Sequence, residues 1–122
     1  MRAMRTARHR VTPSLTKDGS LVRELMHPAA HGNRAQSLAE AEIAPGITTA
    51  LHWHRKTEEL YHVVSGIGRM TLGAEQFEVK AGDTVCIAPG TPHRIANVGP
   101  EPLRILCCCA PAYSHDDTEI LE

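Results

Sequence analysis

Residues 46–66 read GITTALHWHRKTEELYHVVSG, and the way this stretch folds decides how the rest of the chain is read. His52 and His54 stand one residue apart in a segment of apolar and β-branched residues. In an extended strand alternate side chains share a face, so the two imidazoles stand together, roughly 7 Å apart at Cα. Trp53 points to the other face and reads as packing. Glu59 follows His54 by five residues, an offset that one straight strand would put on the wrong side. Arg55-Lys56-Thr57 is polar and suits a short turn, after which Glu59 begins a neighbouring strand and returns to the histidine face. Glu58 fits only a turn one residue tighter, and otherwise faces solvent.

A second block, GDTVCIAPGTPHRIAN (82–97), carries His93 directly after Pro89-Gly90 and Pro92. Those residues impose a rigid turn that orients the ring, and a closed sheet brings it opposite the first pair. Three imidazoles and one carboxylate suit a divalent transition metal. Four protein ligands leave positions open for water or substrate, which is what separates a catalytic site from a structural one. A surface His-x-His alone is commonplace; the combination with His93 and Glu59 is far more specific.

The remainder of the chain is β-patterned. Glycines and prolines punctuate short alternating or β-branched segments, the spacing of an all-β sandwich or barrel. Strands are expected at Leu21–Leu25, Ser37–Ile43, Thr48–His54, Leu60–Ser65, Gly68–Leu72, Glu75–Lys80, Thr84–Ala88, His93–Asn97 and Leu103–Ala110. LAEAEIAPG has some helical character, but Ser37–Ile43 alternates and ends at Pro45-Gly46, so strand is the better reading. A tight hairpin is expected at Gly73-Ala74, where glycine supplies a positive φ.

With 122 residues the chain makes a single domain. Thirteen basic residues against fourteen acidic ones leave no field suited to nucleic acid or an anionic membrane. Arg2, Arg5, Arg8 and Arg10 make a basic start, and Asp116, Asp117, Glu119 and Glu122 an acidic end. Residues 1–19 carry no pattern and are read as a flexible or partner-swapped arm, residues 20–112 as the barrel, and 113–122 as a loose acidic tail. Cys86 stands alone, while Cys107, Cys108 and Cys109 are consecutive and cannot bridge one another with ordinary geometry. No C-x-x-C spacing points to zinc or redox chemistry. Reduced cysteines and the lack of a secretory pattern place the chain in the cytoplasm.

The two blocks resemble the motifs of the cupin superfamily. The first runs Gly46, five residues, His52-Trp53-His54, four residues, Glu59, six residues, Gly66. The second runs Gly82, five residues, Ala88-Pro89-Gly90, two residues, His93, three residues, Asn97. Only Ala88 departs from the pattern, standing where proline is usual; this alters a turn and not the ligand set. With one copy of each motif, the chain is similar to small single-domain conserved-barrel (cupin 2) proteins. The resemblance implies an antiparallel jelly-roll barrel (a double-stranded β-helix), homodimerisation, and one divalent transition metal per chain (Fe, Mn, Zn, Ni or Cu). It implies His52, His54, Glu59 and His93 as ligands, and so selects Glu59 over Glu58.

The family's breadth leaves the reaction open. The leading expectation is a metal-dependent enzyme acting on a small organic molecule by dioxygenase-like or isomerase-like chemistry. A non-catalytic small-ligand or metal-sensing module is the alternative. Tyr61, on the strand face of Glu59, and His115 in the tail are the candidate catalytic acid–base groups. Arg69 and Arg94 are candidates for clamping a substrate carboxylate or phosphate. Cys107 and Cys109 share a face that is a candidate pocket wall.

Overall fold

The computed structural model describes residues 4–122; Arg2 of the basic start lies outside the described residues. The chain forms strands β1 (Ser14–Leu15), β2 (Leu21–Met26), β3 (Ser37–Ile43), β4 (His52–His54), β5 (Glu58–Ser65), β6 (Ile67–Leu72), β7 (Glu75–Lys80), β8 (Thr84–Ile87), β9 (His93–Asn97), β10 (Leu103–Ala110) and β11 (Thr118–Ile120). A short helix, α1 (Pro28–His31), follows β2. One sheet runs β1-β2-β3-β10-β5-β8 and the other β11-β4-β9-β6-β7, all antiparallel. These are the two sheets of the expected jelly roll.

Alternation sorts each strand into a core face and an outer face. In β5, Glu59, Tyr61 and Val63 are buried while Glu58, Leu60 and Val64 are exposed. Ile43, Met70, Ile87, Ile95, Leu103 and Ile105 meet them from the other strands, each almost without exposed surface. Full burial of side chains of this size contributes about 1.5–3 kcal/mol each. This core packs between the sheets, and its members Ala41 and Tyr61 also line the cavity that holds His52 and His54.

Gly66 makes the tight exit from β5 possible. Its φ is +94°, and a Cβ there would lie 2.9 Å from both Leu103 Cα and Pro102 O. The β6–β7 hairpin turns at Gly73-Ala74, pairing Leu72 with Glu75, with the positive φ at Gly73.

Three differences from the sequence reading bear on the site. The strand expected over Thr48–His54 begins only at His52, and Thr48 keeps an isolated bridge to Ala96. The reason is that Ala50 N donates to Asp18 O and Leu51 N to Glu122 Oε1, so other segments take up this backbone. The tail expected to be loose is instead strand β11, pairing Thr118 with His54 along the open edge of β4. Three residues are too few to show a period, and acidic composition concealed a capping role: Asp117 accepts from the N–H groups of Lys56 and Thr57 at 2.9 and 3.1 Å. At the other end, β1 pairs with β2, and Arg8 makes a two-pronged contact with Glu40 on the outer side of the same sheet. No helix among the described residues is long and apolar enough to cross a membrane.

Candidate metal centre

β4 carries His52 and His54 on its buried face, and β9 pairs with it so that His93 stands directly opposite His52. The turn before His93 is held by Gly90 N donating to His54 O at 2.7 Å, which locks the second sequence block onto the first. Glu59 reaches the same point from β5 in the facing sheet. The site thus spans the space between the two sheets.

The three imidazoles converge, each offering one nitrogen within 4.8 Å of the others. Ring centroids lie 5.2 Å apart for His52 and His54, 4.2 Å for His52 and His93, and 5.4 Å for His54 and His93. Glu59 Oε1 lies 3.1 Å from His54 Nε2 and 3.6 Å from His93 Nε2. All four residues are buried.

The outer ring nitrogens decide what the inner ones can do. His52 Nδ1 contacts Ala50 O at 2.8 Å, and His93 Nδ1 contacts Thr91 O at 2.9 Å. A carbonyl only accepts, so both Nδ1 atoms carry protons. His54 Nδ1 meets Thr118 Oγ1 at 2.8 Å, and that hydroxyl donates its own proton to Ser114 O at 2.8 Å. It is therefore an acceptor toward His54. With one proton per ring, each then presents its Nε2 lone pair inward, the tautomer that a metal site needs.

The inner atoms have no hydrogen-bond partner. His54 Nε2, His93 Nε2 and Glu59 Oε1 are buried and unsatisfied. Orphaned buried acceptors facing one another are costly unless a cation lies between them. Burial pushes the Glu59 carboxyl upward, but positive charge at the centre outweighs it: protonated His54 and His93 rings, hydrogen-bonded to the carboxylate, hold its pKa at about 2. Burial, reinforced by His93, lowers the pKa of His52 and keeps that ring neutral. The donor set fits a divalent transition metal: three imidazoles and one carboxylate.

Around this centre is a cavity of about 70 Å³. Tyr61 lines it, buried, with its ring edge-on to His93 at 5.9 Å. Cys107 and Cys109 line it too, as their shared face implies. The Cys109 thiol donates to Glu59 Oε2 at 3.3 Å, which leaves Oε1 as the inward oxygen. Burial and the neighbouring Glu59 push the Cys109 pKa far up, so it remains a thiol.

His115 is not brought into the cavity. It is exposed, and its Nδ1 meets the Tyr113 hydroxyl at 3.2 Å. Tyr113 and Thr118 are the tail residues that line the cavity, Tyr113 edge-on to His54 at 5.8 Å. Arg69 and Arg94 are not there either: they sit on the outer face of the five-stranded sheet with Thr71 and Gln76, Arg94 facing Glu122 at 3.5 Å. The strand period settles this, because residues on the opposite parity from Met70 and His93 point outward.

The sequence reading missed Asp18, Glu24 and Thr118. Asp18-Gly19 is a turn signal, but nothing local places that turn beside His52, where Asp18 Oδ2 lies 3.9 Å from Nε2. Glu24 lines the cavity from β2, where no clean alternation marks the inner face.

Comparison with known proteins agrees with this architecture. A family model described as a cupin domain matches residues 39–109. The chain is 52% identical over 122 residues to an uncharacterized protein of Methanocaldococcus jannaschii, covering 100% of this chain and 98% of that one. It is 30% identical over 114 residues to polyketide synthase CurC of Streptomyces cyaneus, covering 89% and 73% of the two chains. A predicted oxalate decarboxylase from Thermotoga maritima superimposes with a TM-score of 0.76 at 25% identity, over 86% of this chain and 96% of that one. Two facing sheets with a histidine triad between them define a cupin, and the chain belongs to the cupin family.

Proposed function

We propose that this cupin is a metal-dependent enzyme acting on a small organic molecule. His52, His54, His93 and Glu59 hold one divalent transition ion per chain in this reading. The observation that carries it is the set of buried, unpartnered atoms His54 Nε2, His93 Nε2 and Glu59 Oε1, converging where all three imidazole tautomers are set by outer partners. When bound, such an ion supplies Lewis acidity toward a substrate oxygen, or a redox centre if it is iron.

The protein's own residues shape the rest. Tyr61 lines the cavity on the Glu59 face, where it can hold or move a proton on a bound substrate. That placement supports proton-shuttling isomerisation and dioxygenase-like cleavage alike. The homodimeric state implied by the family resemblance belongs to the same reading, and sedimentation at micromolar concentration tests it.

Metal analysis of protein purified without chelator should give one transition ion per chain, and His52→Ala combined with His54→Ala should abolish it. Unchanged metal content in that variant sinks the proposal. Oxygen uptake by the iron form against phenols and diketones, alongside isomerisation assays, then tests turnover; binding without turnover would identify a ligand-holding module instead.

A further inference from the structure

The cavity beside the histidine triad has a charge pattern that selects among ligands. Asp18 projects into it from the loop between β1 and β2. Three donors hold its Oδ1: Thr16 Oγ1 at 2.9 Å, Ser20 N at 3.0 Å and Ser20 Oγ at 2.7 Å. The loop itself is tied down where Ala50 N donates to Asp18 O at 2.8 Å. Only Oδ2 is left to face the centre, 3.9 Å from His52 Nε2, on a side chain that is 16% exposed. Glu24 joins it from β2, its Oε1 buried without a hydrogen-bond partner. Burial raises the pKa of Glu24, against a smaller downward pull from His27 and His31.

Among the described residues, no lysine or arginine pairs with either carboxylate. Among the described residues, Lys17 is the one lysine or arginine lining the cavity, and its Nζ is turned to the carbonyl oxygens of Thr118 and His115 at 3.1 and 3.4 Å. Arg23, on the opposite parity of β2, reaches toward Glu40 at 3.7 Å. Arg69 and Arg94 are on the outer surface. Among the described residues, no guanidinium lines the cavity.

We propose that this cavity is built for an uncharged, hydrogen-bond-donating small molecule, and that Asp18 acts as the discriminator that turns away small dicarboxylates. The inference rests on the metal-site reading and deepens it by naming the ligand class. A dicarboxylate bound at the centre would press its second carboxylate against Asp18, with no guanidinium in the lining to meet it and Lys17 turned to backbone carbonyls. Like charges in a partly buried site repel strongly, because the effective dielectric is well below that of water. A neutral ligand with an O–H or N–H instead donates to Asp18 Oδ2 and gives Glu24 Oε1 the partner it lacks. The fold is shared with a predicted oxalate decarboxylase, so oxalate is the discriminating probe.

Oxalate and its uncharged diamide, oxamide, have the same size and shape. Each is titrated into Co(II)-loaded protein, with visible absorption of the ion as the readout and bound metal re-measured after every titration. Asp18→Asn should raise the affinity for oxalate relative to oxamide at least tenfold over wild type, and Asp18→Glu should restore the wild-type ratio. A smaller change in Asp18→Asn overturns the proposal. Should Asp18→Asn fail to retain Co(II), Glu24→Gln carries the same threshold. Failure of wild-type protein to bind Co(II) at all would sink the metal-site reading, and this inference with it; Co(II) bound with an unchanged ratio sinks the inference alone.

Discussion

His54 Nδ1 and Thr118 Oγ1 lie 2.8 Å apart across the β4–β11 pair, so the last strand of the chain sets the tautomer of a histidine encoded 64 residues earlier. The Thr118 hydroxyl is itself oriented by Ser114 O at 2.8 Å. This short relay keeps the His54 Nε2 lone pair pointing inward.

Thr118→Ala should therefore weaken metal affinity by about 10–100-fold, the usual effect of removing an outer partner of a ligating histidine. Thr118→Ser should retain most of the affinity. Competition with a chromogenic chelator measures both, and equal affinity in all three proteins would remove Thr118 from the site.

Cys109 behaves as an inert donor to Glu59, whereas Cys86 is exposed. Iodoacetamide at pH 8 should label Cys86 in the folded protein and leave Cys109 unmodified, because the thiolate is the reactive form and burial beside a carboxylate suppresses it. Mass spectrometry of the alkylated peptides reads the result; early labelling of Cys109 would contradict the buried contact.

His52 gives the metal-free protein an acid limit. Its folded pKa lies below the ordinary 6.5, first through burial and then through His93. The unfolded chain thus binds a proton that the folded one refuses. Stability from this group is complete above pH 6.5 and is lost as pH falls from there toward the depressed folded value. Thermal unfolding of metal-free protein between pH 7.5 and 5 should show this slope, and His52→Gln should flatten it. An identical slope in the variant would assign the effect elsewhere.

Gly66 and Gly82 both have positive φ, at +94° and +96°, yet their surroundings differ. An alanine at either pays the left-handed cost of about 1–2 kcal/mol. At Gly66 its Cβ would also meet Leu103 Cα and Pro102 O at 2.9 Å, while at Gly82 nothing lies within 4 Å. Urea unfolding should show Gly66→Ala to be the more destabilising by at least about 1 kcal/mol, the scale of a forced overpacking. Equal losses would mean that the Pro102–Leu103 backbone shifts freely.

Much of the strand pattern was legible from residue order. Ser37–Ile43, Glu75–Lys80, His93–Asn97 and Leu103–Ala110 form as read, because alternation and Gly or Pro boundaries are local properties. Burial of Glu59 with exposure of Glu58 agrees with the motif spacing. The tail was misread, since Thr118–Ile120 is too short to show a period and gains its hydrogen bonds from β4, far away in sequence. Asp18 was invisible as a site residue for the same reason: its turn is local, but its neighbour His52 is brought to it only by the docking of Ala50 on the β1–β2 loop.

By itself, then, the sequence determined a two-sheet β fold and the four side chains that meet inside it, because strand period and motif spacing are written residue by residue. Tertiary structure alone decided the tautomers of those histidines, the carboxylates that guard the cavity and the absence of Arg69, Arg94 and His115 from it. Those features depend on contacts between segments whose distance along the chain hides them: the relay from Ser114 through Thr118 to His54, and the loop that presents Asp18.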